Sequence, residues 1–362
     1  MPDQPLRVLH LIARLNEGGP ARVLAALAGA LSPLGVGCTV AHGRCADGEV
    51  DRREVVAAAG ARLIELPGLG RRVQPWDDAR ALAATMALLR REQPDLLHTH
   101  TAKAGAIGRL AARLCGVPCL HTYHGHVLHG YFTPGIDAAV ASLERLLAGT
   151  AWHQALTASQ WRDLRHRAGI GRARRWRVLP VPVTPVIPVA AAARPRPVLG
   201  WLGRLVPIKD GPLWLATLRE LRRHRDVEGL ICGDGSERTA LERAAAGLPV
   251  RFAGVVPAAQ ALAGMDVLLM TSRNEGQPLA AVEAAGAGIP VIAPPVGGLS
   301  DLIADGMVLG AARDPRALAR ACLRAFDLTP ARREAARAAA LALAPAALAP
   351  RYRELYRLVA GR

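Results

Sequence analysis

Short apolar runs alternate with segments whose apolar residues recur every three or four positions, beginning within the first ten residues. Arg7–Ile12 (RVLHLI) reads as a strand, Gly18-Gly19 as a turn, and the stretch from about Ala21 to Leu31 as a helix. The rhythm continues with strands at Cys38–Ala41, Arg62–Leu66, Asp95–His98, Pro118–Tyr123 and Gln154–Thr157. Helical patterns lie between them at Asp77–Arg91, Lys103–Cys115 and Ile136–Leu147. It resumes with strands at Val198–Trp201, Val227–Cys232, Val250–Ala253, Asp266–Met270 and Val291–Ala293. Helices are expected at Pro212–His224, Glu237–Ala246 and Pro278–Gly286. Such alternation predicts an α/β protein with parallel sheets covered by helices.

Between the two halves, Leu179–Pro197 contains six prolines. Proline fixes φ and removes a donor, so this stretch is expected to be an extended linker. The expected organisation is a first domain over 1–180, a linker over 181–197, a second domain over 198–340 and a closing helix over 341–362. Two doubly wound, Rossmann-like domains carry ligands beyond the carboxyl ends of their strands, so the two are expected to face an interdomain cleft.

Composition narrows the class. Hydrophobic residues make up 51% and charged ones 21%, enough to bury a core and too apolar for disorder. The formal charge is +16, divided as +9 over 1–180 and +7 over 181–362, an even spread that speaks against nucleic acid. Arg162, Arg165, Arg167, Arg172, Arg174, Arg175 and Arg177, with Trp161 and Trp176 among them, form the densest basic run. A solvated helix and loop is the preferred reading of that run, with peripheral contact to an anionic membrane left open. The six cysteines contain no Cys-x-x-Cys pair and read as buried thiols of a reducing compartment. No signal peptide is evident in MPDQPLRVLHLIARLNEGG, and the charge-free stretches Val23–Gly43 and Leu114–Ile136 are broken by Pro and Gly. A cytoplasmic location is expected, with the inner membrane face as the place of any peripheral contact.

Two segments carry the chemistry. In Thr271–Val291 an apolar strand runs into a polar turn with Glu275, and Glu283 follows within the next helix. Glu275 then precedes a helix N-terminus, which favours an anion or polar ligand, and Glu283 lies about 7.5 Å along the axis. A capping glutamate and a solvated one is the plainer reading of that pair taken alone. Gly203–Gly211 places Arg204 and Lys209 in a glycine-flanked loop, and Lys209 is one of only two lysines among 46 basic residues. A guanidinium and an ammonium on one turn suit a diphosphate. Neither NEGGPARV nor GDGSER matches Gly-x-Gly-x-x-Gly, and no nucleoside-triphosphatase loop occurs, so nicotinamide and P-loop readings are disfavoured.

Taken in order, these pieces resemble a family-4 glycosyltransferase of the GT-B fold over nearly the whole chain. The residues carrying the resemblance are Gly18–Leu24, Pro94–His100 with Lys103-Ala-Gly105, and Thr122–Gly125. In the second half they are Gly203-Arg204, Lys209-Asp-Gly211, Cys232–Gly235, Glu275–Glu283 and Pro290–Gly298. The resemblance implies an acceptor-side first domain, a donor-binding second domain, a last helix returning to the first domain, and a retaining reaction. It implies that Arg204 and Lys209 neutralise the donor diphosphate and that Gly18 and Gly19 let backbone N–H groups approach it. Glu283 would bind the ribose and Glu275 the transferred sugar, with His124 beside that sugar. Gly233, Gly235, Gly276, Gln277, Pro278 and Leu279 would complete the donor site. No cofactor is implied beyond the nucleotide-sugar substrate, and the partner is a glycan, lipid-linked or small-molecule acceptor. A nucleotide-sugar 2-epimerase and an inactive glycan-binding or scaffold module are the alternatives. The chain reads Leu179-Pro-Val-Pro-Val-Thr where the family usually has a Pro-Asn-Gly turn, and the usual longer glycine turn is shortened near Asp305-Gly306-Met307.

Six histidines crowd residues 98–129, and His98-Thr-His100, His124-Gly-His126 and Cys119 invite a zinc site. Cys119 and His121 fall on an expected buried strand, no carboxylate lies in the interval, and no metal is assigned. Lys103, His126, Tyr131 and Phe132 are assigned to the acceptor side, because Leu120–Thr133 holds three of the seven Tyr and Phe residues. Truncating Tyr131 or Phe132 to Ala should raise the acceptor KM and leave donor-only hydrolysis nearly unchanged. Equal loss of both activities with a lower Tm would show that the rings hold the fold instead.

Overall fold

A computed structural model describes residues 5–70, 73–125, 134–187 and 194–362. The chain divides into two compact units, one running to Pro182 and including Pro345–Arg362, the other spanning Val183–Ala344.

The first unit is built on seven strands: β1 Leu6–Ile12, β2 Val36–His42, β3 Arg62–Glu65, β4 Leu96–His100, β5 Cys119–Thr122, β6 Trp152–Ala155 and β7 Trp176–Val178. All pair in parallel, in the order β3-β2-β1-β4-β5-β6-β7. The chain winds outward from β1 through β2 to β3, then returns to β4 on the other side, so the order reverses between β1 and β4. Helices Gly19–Leu31, Pro75–Glu92 and Ala102–Cys115 supply covering layers. With both faces covered, central strands lose the polar alternation of a half-exposed sheet, and β4 and β5 are buried at every position.

The second unit repeats the plan with β8 Val198–Leu202, β9 Glu228–Cys232, β10 Val250–Gly254, β11 Val267–Leu269, β12 Val291–Ala293 and β13 Leu309–Gly310. Its order is β10-β9-β8-β11-β12-β13, again parallel, with the reversal between β8 and β11. Two apolar clusters fill the two sides of this sheet, one around Leu268, Ala284 and Leu299, the other around Trp214, Leu218 and Leu318.

Several elements differ from the sequence expectation. β6 begins two residues earlier, because Thr157 accepts a hydrogen bond from Gln160 N and starts the next helix instead of ending the strand. The basic run is not simply a solvated helix and loop: Trp176 is buried on β7, and the Arg177 guanidinium lies 4.9 Å above the Trp152 ring. Within the proline-rich stretch 181–197, Val183 and Val186 pack in the second unit's core, and Val183 N donates to Leu343 O at 2.9 Å. The helices Gly298–Ala304, Pro315–Phe326 and Pro330–Leu341 follow β12 where no element was assigned.

The last helix, Pro345–Ala360, continues through Pro350 and belongs to the first unit. Tyr352, Leu355, Tyr356 and Val359 are all buried there. Two phenol groups tie it to the sheet. Tyr356 Oη lies 2.9 Å from His98 Nδ1, and Tyr352 Oη accepts from Gln154 Nε2 at 2.5 Å and donates to Pro180 O at 3.2 Å. On the other side of the sheet Arg109 makes a bidentate pair with Glu144, 2.8 and 2.7 Å, and Tyr123 Oη donates to the same carboxylate at 2.9 Å.

The first unit therefore has a polar interior, and six of its imidazoles are held neutral. Burial pushes His10 down to about 3 and His124 and His153 down to about 4, and holds His98, His100 and His121 well below the ordinary imidazole value. Unfolded imidazoles titrate near 6.5, so below that pH the unfolded chain binds more protons than the folded one. The stability these groups contribute is complete above about pH 6.5 and is lost as pH falls toward their folded values. Urea unfolding should thus show the first unit weakening between about pH 6.5 and 5, by more than one proton's linkage. None of these six rings belongs to the second unit, so their linkage is carried by the first unit alone. A flat profile for the first unit would mean that these rings are solvated.

Candidate functional site

Ligands of open parallel sheets gather where the strand order reverses. In the second unit that point is flanked by the loops after β8 and β11, which hold the residues singled out from sequence. The β8 loop leans on the neighbouring turn after β9: Gly203 N donates to Cys232 O at 3.0 Å and Leu205 N to Asp234 O at 2.8 Å. Contact is so close that a Cβ on Gly233 (φ +138°) would stand 1.9 Å from Gly203 O. Only glycine meets both the dihedral and the approach.

Lys209 ends a short 3-10 turn, Pro207–Lys209, and Asp210 follows in the left-handed region at φ +54°. Asp210 caps helix Gly211–Leu221 by accepting from Leu213 N, and its buried carboxylate pairs with Arg313 and Arg273. Strain at a non-glycine αL residue is offset by that cap and the two guanidiniums. The β11 loop is stitched to the same turn. Arg273 N donates to Ile208 O at 2.8 Å, and the Thr271 hydroxyl lies 3.0 and 2.9 Å from the carbonyl oxygens of Lys209 and Asp210.

These bonds bring the two sequence segments into direct contact. Lys209 Nζ pairs with Glu275 Oε1, and Ser272 Oγ donates to the same oxygen at 2.6 Å. Glu275 O accepts from Gly298 N at 2.9 Å, while Gly297, at φ +49°, passes so near that a Cβ would lie 2.3 Å from that carbonyl. Gly276, Gln277 and Pro278 are buried behind this turn, and helix Leu279–Gly286 begins one residue later than expected, with Pro278 at its N-cap. Glu283 is only 2% exposed, so it is not a solvated helix glutamate. Arg204 is exposed, and Gly235 sits beside Leu205 O.

In the first unit the corresponding reversal lies between β1 and β4. Register places His10 opposite His98, and Ile12 opposite His100. A hydrogen-bonded row results: His10 Nδ1 to His100 Nε2 at 3.0 Å, then His100 Nδ1 to His124 Nε2 at 2.7 Å. Nitrogens of His10, His98 and His100 fall within 4.8 Å of one another, close enough for a metal ion. Both nitrogens of His98 and both of His100 already have hydrogen-bond partners, so that donor set is committed elsewhere. Gly18, at φ 164°, is extended backbone at the N-cap of helix Gly19–Leu31 and has no conformational need for glycine. Lys103 Nζ pairs with Asp78 Oδ1 at 2.5 Å, a partner the acceptor assignment did not anticipate. His126, Tyr131 and Phe132 lie outside the described residues.

Sequence reasoning did not single out His10, Ser272 or Arg313, and gave Asp210 no role. The Lys-Asp-Gly order was the available signal for Asp210. Arg313, 103 residues further on, left none.

This arrangement has relatives. Residues 18–184 match the family described as Glycosyl transferase 4-like domain, and residues 196–327 match Glycosyl transferases group 1. The chain belongs to this glycosyltransferase family. It is 32% identical over 285 residues to 2-deoxystreptamine glucosyltransferase of Streptomyces kanamyceticus, covering 67% of this chain and 69% of that one. It is 27% identical over 267 residues to UDP-Gal:alpha-D-GlcNAc-diphosphoundecaprenol alpha-1,3-galactosyltransferase of Escherichia coli, covering 67% and 68%. Among solved structures, sucrose-phosphate synthase from Thermosynechococcus elongatus superposes with a TM-score of 0.82 at 21% identity, over 98% of this chain and 99% of that one. The Anabaena protein HepE in complex with UDP-glucose gives 0.77 at 19%, over 97% and 99%. The fold is thus GT-B, with two parallel-sheet Rossmann-like domains.

The glycine contacts give a direct check on the second unit. Gly233→Ala should destabilise it by more than about 1 kcal/mol through strain and collision with Gly203 O. Gly18→Ala, whose Cβ would meet nothing nearer than 3.9 Å, should stay within about 1 kcal/mol. Equal denaturation midpoints for the two variants would show that the β8 and β9 turns do not touch in solution.

Proposed function

We propose that the protein is a retaining glycosyltransferase that moves a sugar from a nucleoside-diphosphate donor to a glycan, lipid-linked or small-molecule acceptor. The observation that carries the reading is the cluster of Lys209, Glu275 and Ser272 at the strand reversal of the second unit. Without donor, Lys209 and Glu275 satisfy one another. A diphosphate draws the ammonium to itself, joined by the exposed Arg204, and leaves the Glu275 carboxylate to accept hydrogen bonds from sugar hydroxyls. Glu283, on the helix that follows, accepts from the ribose, and Gly276, Gln277, Pro278 and Leu279 shape the turn between the carboxylates. Gly233 and Gly235 keep the floor of the loop clear of side chains.

Charge grows on the leaving diphosphate as the glycosidic bond to it breaks, so cations fixed there stabilise the transition state. The acceptor oxygen attacks from the same face, and the leaving phosphate oxygen takes the acceptor's proton, which preserves the anomeric configuration. His124 contacts the transferred sugar from the first unit, with Gly18 and Gly19 contributing backbone donors. Arg204 and Lys209 supply the positive charge, so the reaction calls for no metal or other cofactor.

Relatives support the donor and acceptor classes: one names UDP-galactose and a diphosphoundecaprenol acceptor, others GDP-mannose. No described helix is long and apolar enough to cross a membrane. The exposed Arg162, Arg167, Arg172 and Arg174 suit peripheral contact with an anionic membrane on its cytoplasmic face.

A panel of nucleotide sugars, followed for slow nucleotide release without acceptor, tests the reading. Release with free sugar supports it, an epimerised sugar would replace it with the epimerase, and silence with every donor would leave a binding module. With the active donor, Lys209→Gln should weaken binding of the nucleoside diphosphate and lower turnover further, because charge develops on the leaving group. Glu283→Ala should chiefly raise the donor KM, by about 1.5–3 kcal/mol in binding for bonds to a charged group. Unchanged binding and turnover in Lys209→Gln would remove the diphosphate from this loop.

A further inference from the structure

The imidazole row of the first unit has a direction. Beside it stands His98, outside the row, whose ring proton is fixed by its neighbours. Gln154 Nε2 donates to the Leu179 carbonyl at 2.8 Å, so Gln154 Oε1 is the acceptor for the Thr122 hydroxyl, 2.7 Å away. Having spent its proton there, Thr122 Oγ1 must accept from His98 Nε2–H at 2.6 Å. His98 is neutral, so its Nδ1 is bare and accepts from Tyr356. His98 therefore has nothing to offer His10.

Among the described residues His10 makes one side-chain hydrogen bond, through Nδ1 to His100, and its buried Nε2 has no partner. Two polarities are possible for the row. If the protons pointed inward, His10 Nε2 would carry an orphaned N–H. If they point outward, the orphan is only a bare lone pair, and buried orphan donors are the rarer and costlier case. Outward polarity gives His10 Nδ1–H donating to His100 Nε2, and His100 Nδ1–H donating to His124 Nε2. His124 Nε2 is then an acceptor, and its single proton resides on Nδ1.

We propose that His10 and His100 are positioning residues that act through His124, locking it as the neutral Nδ1–H tautomer so that it meets the transferred sugar as a hydrogen-bond donor. Burial, which holds His10 near 3 and His124 near 4, keeps both rings uncharged at neutral pH. The role assigned to His124 rests on the reading of function above, whereas its tautomer rests on the row alone. His124 on this account orients a sugar oxygen and takes no proton from the acceptor.

Long-range 1H–15N correlation spectra of the full chain at pH 7 report the tautomer directly, with His124→Gln used to assign the signal. The expected spectrum shows His124 protonated at Nδ1, and protonation at Nε2 or an imidazolium there overturns the proposal. Two variants extend the test. His10→Asn keeps a donor where Nδ1 stands, and should retain both the tautomer and activity within about threefold. His10→Leu removes the donor, and should mix the His124 tautomers and lower kcat for donor hydrolysis by about tenfold, with diphosphate binding unchanged. A His10→Leu protein with mixed tautomers and undiminished kcat would retain the row's polarity but refute both the positioning role and the placing of His124 on the sugar. Equal losses in the Asn and Leu variants would overturn the donor logic and leave only packing.

Discussion

Each unit depends on the place where a parallel sheet reverses its strand order. Strands covered on both faces leave little polar surface to work with, and neighbouring loops diverge only at the reversal. In the second unit the loops after β8 and β11 are joined by the backbone bond from Arg273 N to Ile208 O and by the Thr271 hydroxyl, which lies 62 residues from Lys209 in sequence. Asp210 is the pivot of that junction. It accepts the strain of a left-handed backbone, caps the following helix and pairs with Arg273 and Arg313, while Lys209 pairs with Glu275.

Opposite electrostatic strategies serve the two reversals. The second unit keeps charges, an ammonium and a carboxylate that satisfy each other. The first unit keeps His10, His98, His100 and His124 as neutral rings, made uncharged by burial and joined to hydrogen-bond partners. The last helix joins that economy through Tyr352 and Tyr356, whose hydroxyls complete Gln154 and His98. An apolar helix could cover the same sheet, but it could not settle which nitrogen of His98 bears hydrogen. Packing and proton placement are one problem in this unit.

The amino-acid order by itself determined the α/β class, the two-unit plan and most of the elements, because buried parallel strands and amphipathic helices impose different periods. It also marked Gly203–Gly211 and Thr271–Glu283, since glycines, a rare lysine and two spaced glutamates are local signals. The burial of Glu283, the pairing of Lys209 with Glu275 and the committed partner of Lys103 were decided only by tertiary structure. So was the part played by His10, a single histidine in an ordinary apolar strand, which gains meaning from its register against His98 and from the row it starts. Arg313 and β7 were likewise invisible, one because its partner lies 103 residues away, the other because arginines flank the buried Trp176. Periodicity records which face a residue presents to the core. It does not record which distant group shares that face, and the hydrogen-bond partner, the ion pair and the tautomer all follow from that neighbour.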